Sequence, residues 1–445
     1  MQVISACTVP YFPHLWDSKN SFVYRHLPCV NGEVSVFYIT MSVLDKLTNQ
    51  EIWTSFLEEK MAAKNMNKRQ IEDLASFIHN KEYLEISDRI RNKENFSPPL
   101  KKFISKQYST KKRVVYTFSR EENYVLKLLT NLLIRHYDYV FAKNLYSFRA
   151  NNGVKRAINY LRRDRHLSNR YVYKVDIHDY FNSVDINLLL PNLKAIMEDE
   201  IEAYSFIEML LTDSRAVLPN GDIVNEKKGI MAGVPVSSFL ANVYLNELDW
   251  HFFNYGNRYA RYSDDIIVFA SNEIERHNYI EYIHSFLAKM SLTVNSDKES
   301  LSNPHEKWEF LGISYQDGTF DVSTVSARKL KKKMWRKSRA LLRWKNRKKI
   351  DNIYAAKAFV KSFNRKLYDN PTSTELTWAR WFFPIINTTE TIGMLDHYMQ
   401  ECIRYIATEK RTNKRFSFKY DMIKNLGYRS LVHEYYKTKE SADAQ

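Results

Sequence analysis

Cysteine, long apolar runs and acid are all in short supply in this sequence. Its three cysteines, Cys7, Cys29 and Cys402, are scattered through 445 residues and form no CxxC pair. That spacing supports neither a disulfide framework nor a cysteine zinc site, and it suits free thiols in a reducing cytoplasm. No apolar run reaches the roughly eighteen residues a membrane-spanning helix needs, so no membrane partner is expected. The first ten residues have no basic segment leading into an apolar stretch, so no secretion signal is expected either. Internal repeats and low-complexity linkers are likewise missing. Acid is short relative to base: 51 Asp and Glu face 67 Lys and Arg, a formal net charge of +16. A surplus of that size suits a polyanionic partner, most often a nucleic acid. Aromatic residues make up 14% of the chain, including thirty tyrosines, a stock suited to base stacking.

The chain reads as three regions. Residues 1–95 form an N-terminal extension with a strand at 34–39 and helices at 42–60 and 68–95. The second of these carries Ile71, Leu74, Ala75 and Ile78 at helical spacing. Ser97-Pro98-Pro99 marks a boundary. Residues 96–325 alternate strands and helices: strands at 114–118 and 171–175, helices at 120–138, 153–165, 186–197 and 273–290, and a short strand at 292–294. A turn at Pro219-Asn220-Gly221 and a hairpin over 308–322 turning at Asp317-Gly318 complete the region. Residues 326–445 are helical. They open on 328–349, which holds thirteen Lys or Arg and no acid around a stripe of Leu330, Met334, Leu341 and Trp344. Such a helix suits a phosphate backbone. Trp378, Trp381, Phe382 and Phe383 read as core or as an oligomer interface, and 437–445 as a frayed tail.

Chemistry concentrates in the middle region. Residues 258–270 contain two β-prone runs flanking Ser263-Asp264-Asp265, a hairpin with two adjacent carboxylates at its tip. Taken alone it is a solvated turn or a cation site, since adjacent like charges raise each other's pKa unless a cation sits beside them. A third carboxylate, Asp176, ends the strand at 171–175. If that strand lies antiparallel beside the hairpin, all three acids meet on one edge, as two Mg²⁺ ions about 3.5–4 Å apart require. Hard carboxylate oxygens suit Mg²⁺, which keeps waters and phosphate oxygens in its shell. Asp179, Asp185 and Asp249 read as caps or surface residues.

Tyr262-Ser263-Asp264-Asp265 resembles the YxDD box of reverse transcriptases, and Asp176 with Phe181 resembles the family's first palm motif. The resemblance implies catalytic Asp176, Asp264 and Asp265, and a metal set of Asp176, Ile177, Asp264 and Asp265. It implies that Phe181 is a steric gate against a ribose 2′-hydroxyl. Gly229–Asn242 resembles the loop and helix that support template and incoming base, with Gly233 at the nucleotide. Arg113 matches the fingers arginine on the triphosphate, Tyr146-Ser147-Phe148-Arg149 the family's Tyr-x-Phe-Arg segment, and Lys298 the lysine of the next motif. Phe310-Leu311-Gly312 resembles the primer-grip hairpin; with Tyr262 these residues are expected to contact nucleic acid. These matches fall in family order across 101–320. One departs from pattern: Met231-Ala232-Gly233 stands where the family usually has Pro-Gln-Gly, which bears on template handling and leaves the metal acids intact.

The fold implied is α+β, a right-hand polymerase with fingers, a palm built on an antiparallel sheet, and a helical thumb. An N-terminal extension precedes it and an all-helical C-terminal region follows. Arg328, Lys332, Arg336, Arg339 and Arg343 would line the thumb. With no maturase zinc region, His-Asn-His nuclease or RNase H acids, the design is similar to bacterial defence-associated reverse transcriptases, nearest the type 2 systems that pair with a noncoding RNA. That implies an RNA-directed DNA polymerase using two Mg²⁺, dNTPs and a companion RNA template to make cDNA in the bacterial cytoplasm. A template-independent or protein-primed abortive-infection polymerase, a retron reverse transcriptase, and a non-enzymatic RNA-binding module are the alternatives.

Overall fold

The computed structural model describes residues 41–63, 66–105, 112–150, 152–368 and 377–443. The expected strand at 34–39 lies outside the described residues. Eleven strands run in chain order among those described: β1 (Leu100–Ser105), β2 (Lys112–Thr117), β3 (Tyr171–Asp176), β4 (Arg215–Val217), β5 (Ile223–Asn225), β6 (Arg258–Tyr262), β7 (Asp265–Ala270), β8 (Ser300–Ser302), β9 (Trp308–Phe310), β10 (Ile313–Gln316) and β11 (Thr319–Val322). They form three sheets, ordered β2-β1-β4-β5, β6-β7-β3-β8 and β11-β10-β9. With helices packed around them, the architecture is α+β, as expected from the sequence.

The middle sheet, β6-β7-β3-β8, is antiparallel throughout. Side chains alternate across a strand, and here each face feeds a different core. Tyr173, Val175, Ile266 and Val268 join one cluster, which also holds Trp53, Phe77, Leu129, Ile207 and Phe239. Val172, Ala260, Ile267 and Phe269 join a second cluster with Trp308, Ile313, Leu330, Met334 and Phe359. The central strands therefore read as near-continuous apolar runs, because both of their faces are covered.

Among the described residues before residue 96 there are four short helices: Val43–Lys46, Gln50–Ala62, Lys68–His79 and Tyr83–Arg91. The two longer helices expected there are each split. Asn49 interrupts the first by capping the next helix, its side chain accepting from Glu51 N and Ile52 N. Lys81, left-handed at φ 55°, interrupts the second. These helices share the first core. Trp53 is fully buried, donates from Nε1 to Leu47 O at 2.7 Å and stacks on Tyr83 at 5.1 Å.

The basic helix spans Thr324–Lys348, begins at a Ser323 cap and ends on left-handed Lys349. Ala327, Leu330, Met334, Ser338 and Leu341 form its buried stripe, and it packs against the helices Asn352–Leu367 and Glu390–Thr408.

Three further expectations change. Residues 292–294 make no strand: Val294 forms one isolated bridge to Ile177, and the edge of the sheet is taken by β8. Residues 308–322 make three strands, because the chain also reverses at left-handed Leu311 and Gly312. The tail is helical as far as Asp443, since Asp396 caps the helix Leu431–Asp443 by accepting from Leu431 N at 2.7 Å and Val432 N at 3.0 Å. Phe382 and Phe383 are buried, while Trp378 and Trp381 are half-buried. No helix among the described residues is long and apolar enough to cross a membrane.

Candidate active site

Strands β6 and β7 meet at a two-residue loop, Ser263-Asp264, flanked by the pair Tyr262 and Asp265. Ser263 takes the left-handed conformation, φ 62°, that so tight a reversal demands. Across the sheet Asp176 stands directly opposite Asp265, and Ile177 N donates to Asp264 O at 3.0 Å. The pairing register thus brings Asp176, Ile177, Asp264 and Asp265 to one sheet edge.

Their carboxyls are not equivalent. Burial raises the Asp264 carboxyl above the ordinary range, and the neighbouring charge of Asp176 adds to this; Lys298 and Arg113 oppose it. Burial likewise raises Asp265 to about 6, against the pull of Lys174. The Lys174 ammonium lies 3.3 Å from Asp265 Oδ1. That contact has an ion-pair distance without hydrogen-bond geometry, so this buried oxygen is left without a hydrogen-bond partner. Asp176 is held instead by Lys298, whose Nζ is 2.7 Å from both carboxylate oxygens, and by Asn295 Nδ2 at 3.3 Å. Hence, among the described residues, no three His, Cys, Asp or Glu close on a single point. The donor set still suits a divalent cation. Hard oxygens share one edge, two carboxyls are raised by burial, and one buried oxygen is unsatisfied; a bound cation would relieve each of these.

The tip rests on a buried ion pair. Arg261 and Asp249 are both fully buried. Arg261 Nε donates to Asp249 Oδ1 at 2.8 Å, and its Nη1 donates to Ser263 O, in the tip itself, at 3.2 Å. Tyr259 donates to Asp249 Oδ1 at 2.9 Å. Asp249 is thus no surface residue: it is the buried counter-charge without which Arg261 could not be desolvated. Asp185 does cap a helix, accepting from Asn187 N, and Asp179 is exposed.

Phe181 follows β3 in the short helix Tyr180–Ser183. Its carbonyl accepts from Ile230 N at 2.9 Å, and a Cβ on Gly229 would fall 2.4 Å from that oxygen, so only glycine permits this approach. Gly233, at φ 100°, lies against β2, where a Cβ would meet Tyr116 O at 3.0 Å. Tyr116 N donates to Ala232 O at 2.8 Å, and Met231 is left-handed at φ 61°. The loop that departs from Pro-Gln-Gly is therefore clasped between β2 and the Phe181 turn. Arg113 is exposed on β2, near enough for its charge to act on Asp264.

Phe310 is buried in the second core. A Cβ on Gly312 would come 3.0 Å from Ser326 Oγ, so this turn abuts the start of the basic helix. Along that helix Arg328, Lys332, Arg336, Arg339 and Arg343 are exposed at intervals of three or four residues, in a single stripe.

Sequence reasoning passed over four contributors. Lys174 lies two residues before Asp176, hence on the same strand face, and that spacing could have flagged it. Asn295 lies three residues before Lys298. Phe148, whose ring lies edge-to-face 6.2 Å from that of Phe181, belongs to the Tyr146–Arg149 segment, which the sequence offers only as a whole. The Arg261–Asp249 pair joins a strand to the helix Asn246–Asn254, and no local pattern announces it.

Residues 100–315 match the family model described as reverse transcriptase (RNA-dependent DNA polymerase). Among curated proteins, the retron Ec86 reverse transcriptase of Escherichia coli is 24% identical over 152 residues, covering 33% of this chain and 43% of the relative. The match thus spans less than half of that relative's length. Solved structures similar in shape include apo telomerase from Candida tropicalis lacking its C-terminal domain, at 16% identity and TM-score 0.43, covering 51% of this chain and 55% of the other. Telomerase from Candida albicans with a fragment of telomeric RNA has 12% identity and TM-score 0.44, with 76% and 65% covered.

Proposed function

We propose that this chain, whose residues 100–315 match the reverse transcriptase family model, is an RNA-directed DNA polymerase that copies a companion noncoding RNA in bacterial antiphage defence. The single observation carrying the polymerase reading is the sheet edge where Asp176 faces Asp265, with Asp264 beside it. Asp176, Asp264 and Asp265, with Ile177, would hold two Mg²⁺ ions. When bound, such a pair supplies Lewis acidity for ionising a primer 3′-hydroxyl and stabilising the departing pyrophosphate.

The other groups bind and orient. Arg113 and Lys298 present cations for the triphosphate. In this reading Lys298 exchanges its hold on Asp176 for a phosphate oxygen as the nucleotide enters. Phe181 lies beneath the sugar and excludes a 2′-hydroxyl by its bulk. Gly233 and its clasped loop shape the floor of the nascent pair. Tyr262, Leu311 and Gly312 contact the primer, while Phe310, expected to join them, is buried and anchors their turn in the second core; the stripe from Arg328 to Arg343 follows the hybrid backbone. Residues 96–325 would then act as fingers and palm, those from 326 as thumb and C-terminal region, and the helices before 96 as an extension bracing the fingers.

Sequencing the RNA and DNA that co-purify with the protein tests this reading. DNA complementary to one RNA species, lost in Asp176→Ala along with phage protection, is the expected result. Protection undiminished by Asp176→Ala would leave only an RNA-binding role. The similarity to a retron enzyme favours a second reading, in which the product is a 2′–5′ branched RNA–DNA. Resistance of the RNA–DNA junction to enzymes that cleave only 3′–5′ linkages would select it.

A further inference from the structure

We propose that Phe148 is a specificity-determining positioning residue: its ring backs Phe181 and so sets how firmly the site rejects ribonucleotides. The inference rests on the polymerase reading above and deepens it.

A steric gate works only if it cannot retreat. The backbone of Phe181 is already fixed, with its carbonyl held by Ile230 N and closely approached by Gly229. Only its ring can yield. On one side that ring meets Tyr180 at 5.7 Å, with the planes 71° apart. Tyr180 is itself immobile, buried and donating to Ala241 O at 2.6 Å. On another side the ring meets Phe148 at 6.2 Å and 86°, an edge-to-face contact. Phe148 in turn lies 6.4 Å from the ring of Tyr262, next to the catalytic tip. It therefore bridges the proposed gate and the YxDD loop.

The chain commits strain to place Phe148 there. Its φ is 53°, a left-handed conformation that a bulky residue seldom adopts. Anchors on both sides enforce it. Tyr146 N donates to Arg261 O at 3.0 Å, and Asn242 Nδ2 donates to Ser147 O at 2.9 Å. Arg149 Nε donates to Asp138 Oδ1 at 2.8 Å, and its Nη1 to Ala142 O at 2.7 Å. With both neighbours pinned, the Phe148 ring is presented between Phe181 and Tyr262. Strain kept at such a position points to function more than to packing, because a relaxed backbone would bury a phenyl ring equally well.

Single-nucleotide incorporation on an RNA template gives kcat/KM for a dNTP and for its matching rNTP. Their ratio does not depend on the fraction of active enzyme, so partial misfolding leaves it unmoved. Phe148→Ala should lower the ratio about tenfold, Phe181→Ala by up to about a hundredfold, the range a pocket can command over one hydroxyl. Phe148→Tyr should keep the ratio. If Phe148→Ala does not fold, Phe148→Leu, which keeps apolar bulk but loses the flat ring, should lower it by a smaller factor. A ratio unchanged in Phe148→Ala, or in Phe148→Leu where the alanine variant does not fold, beside a lowered one in Phe181→Ala overturns the inference alone. An unchanged ratio in Phe181→Ala overturns the gate and the inference together. A wild-type protein that adds no deoxynucleotide overturns the polymerase reading itself.

Discussion

Asp265 couples the stability of the fold to pH through a single carboxyl. Burial holds it up at about 6, against an ordinary 3.8. A carboxyl raised in the folded chain favours folding through its protonated form. That contribution is complete below about pH 4 and is lost as pH rises through 6. Asp265→Asn is neutral at every pH. In chelator it should therefore be on the order of 2–3 kcal/mol more stable than wild type at pH 7.5, and no more stable at pH 4. Urea unfolding at the two pH values checks this; a wild type more stable than the variant at pH 7.5 would contradict it. The Arg261–Asp249 pair carries a second prediction. Asp249→Asn leaves a buried guanidinium without its counter-charge and should cost about 3–5 kcal/mol. Replacing both with apolar residues should restore much of that stability but not activity, because Ser263 O loses the donor that holds the tip. At this scale the carboxylates were legible, since Ser263-Asp264-Asp265 and Asp176 each announce themselves by type at the end of a β-prone run. Their partners were not. Lys174, Asn295 and Asp249 gain meaning only through a pairing register or a helix packing that local sequence does not state.

Elements that the sequence misdrew are those decided by one backbone conformation. The turn at Leu311 and Gly312 divides what reads as one strand, and Lys81 divides what reads as one helix, because two left-handed residues reverse the strand and one suffices to end the helix. Residues 292–294 are apolar enough for a strand, but pairing runs out after one bridge. Elements with sustained periodicity were legible: the helix Arg120–His136, opened by a Ser119–Glu122 capping box, and the basic helix Thr324–Lys348. The loop from Gly229 to Gly233 is pinned from both sides. Gly233→Ala, at φ 100° and against Tyr116 O, should destabilise the protein by about 1–3 kcal/mol. A thermal melt matching wild type would show that the loop is free to shift. For the basic helix, replacing Lys332, Arg339 and Arg343 with Gln should reduce the log–log salt slope of RNA–DNA hybrid binding by about one for each cation removed. An unchanged slope would take this helix off the binding surface.

At the scale of the molecule, the described residues form two cores that share one sheet. Because β3 and β7 send alternate side chains to opposite clusters, the edge that carries Asp176, Asp264 and Asp265 is braced from both sides. That arrangement keeps together carboxylates that would otherwise repel, and in the proposed reading a bound cation would offset their charge. The measurement closest to this claim is primer extension on an RNA template with dNTPs and Mg²⁺, comparing wild type with the Asp264→Ala, Asp265→Ala double variant. Wild type should add deoxynucleotides, and the variant should fall to background while keeping its affinity for RNA. Undiminished extension by the variant would contradict the assignment of this edge as the catalytic centre.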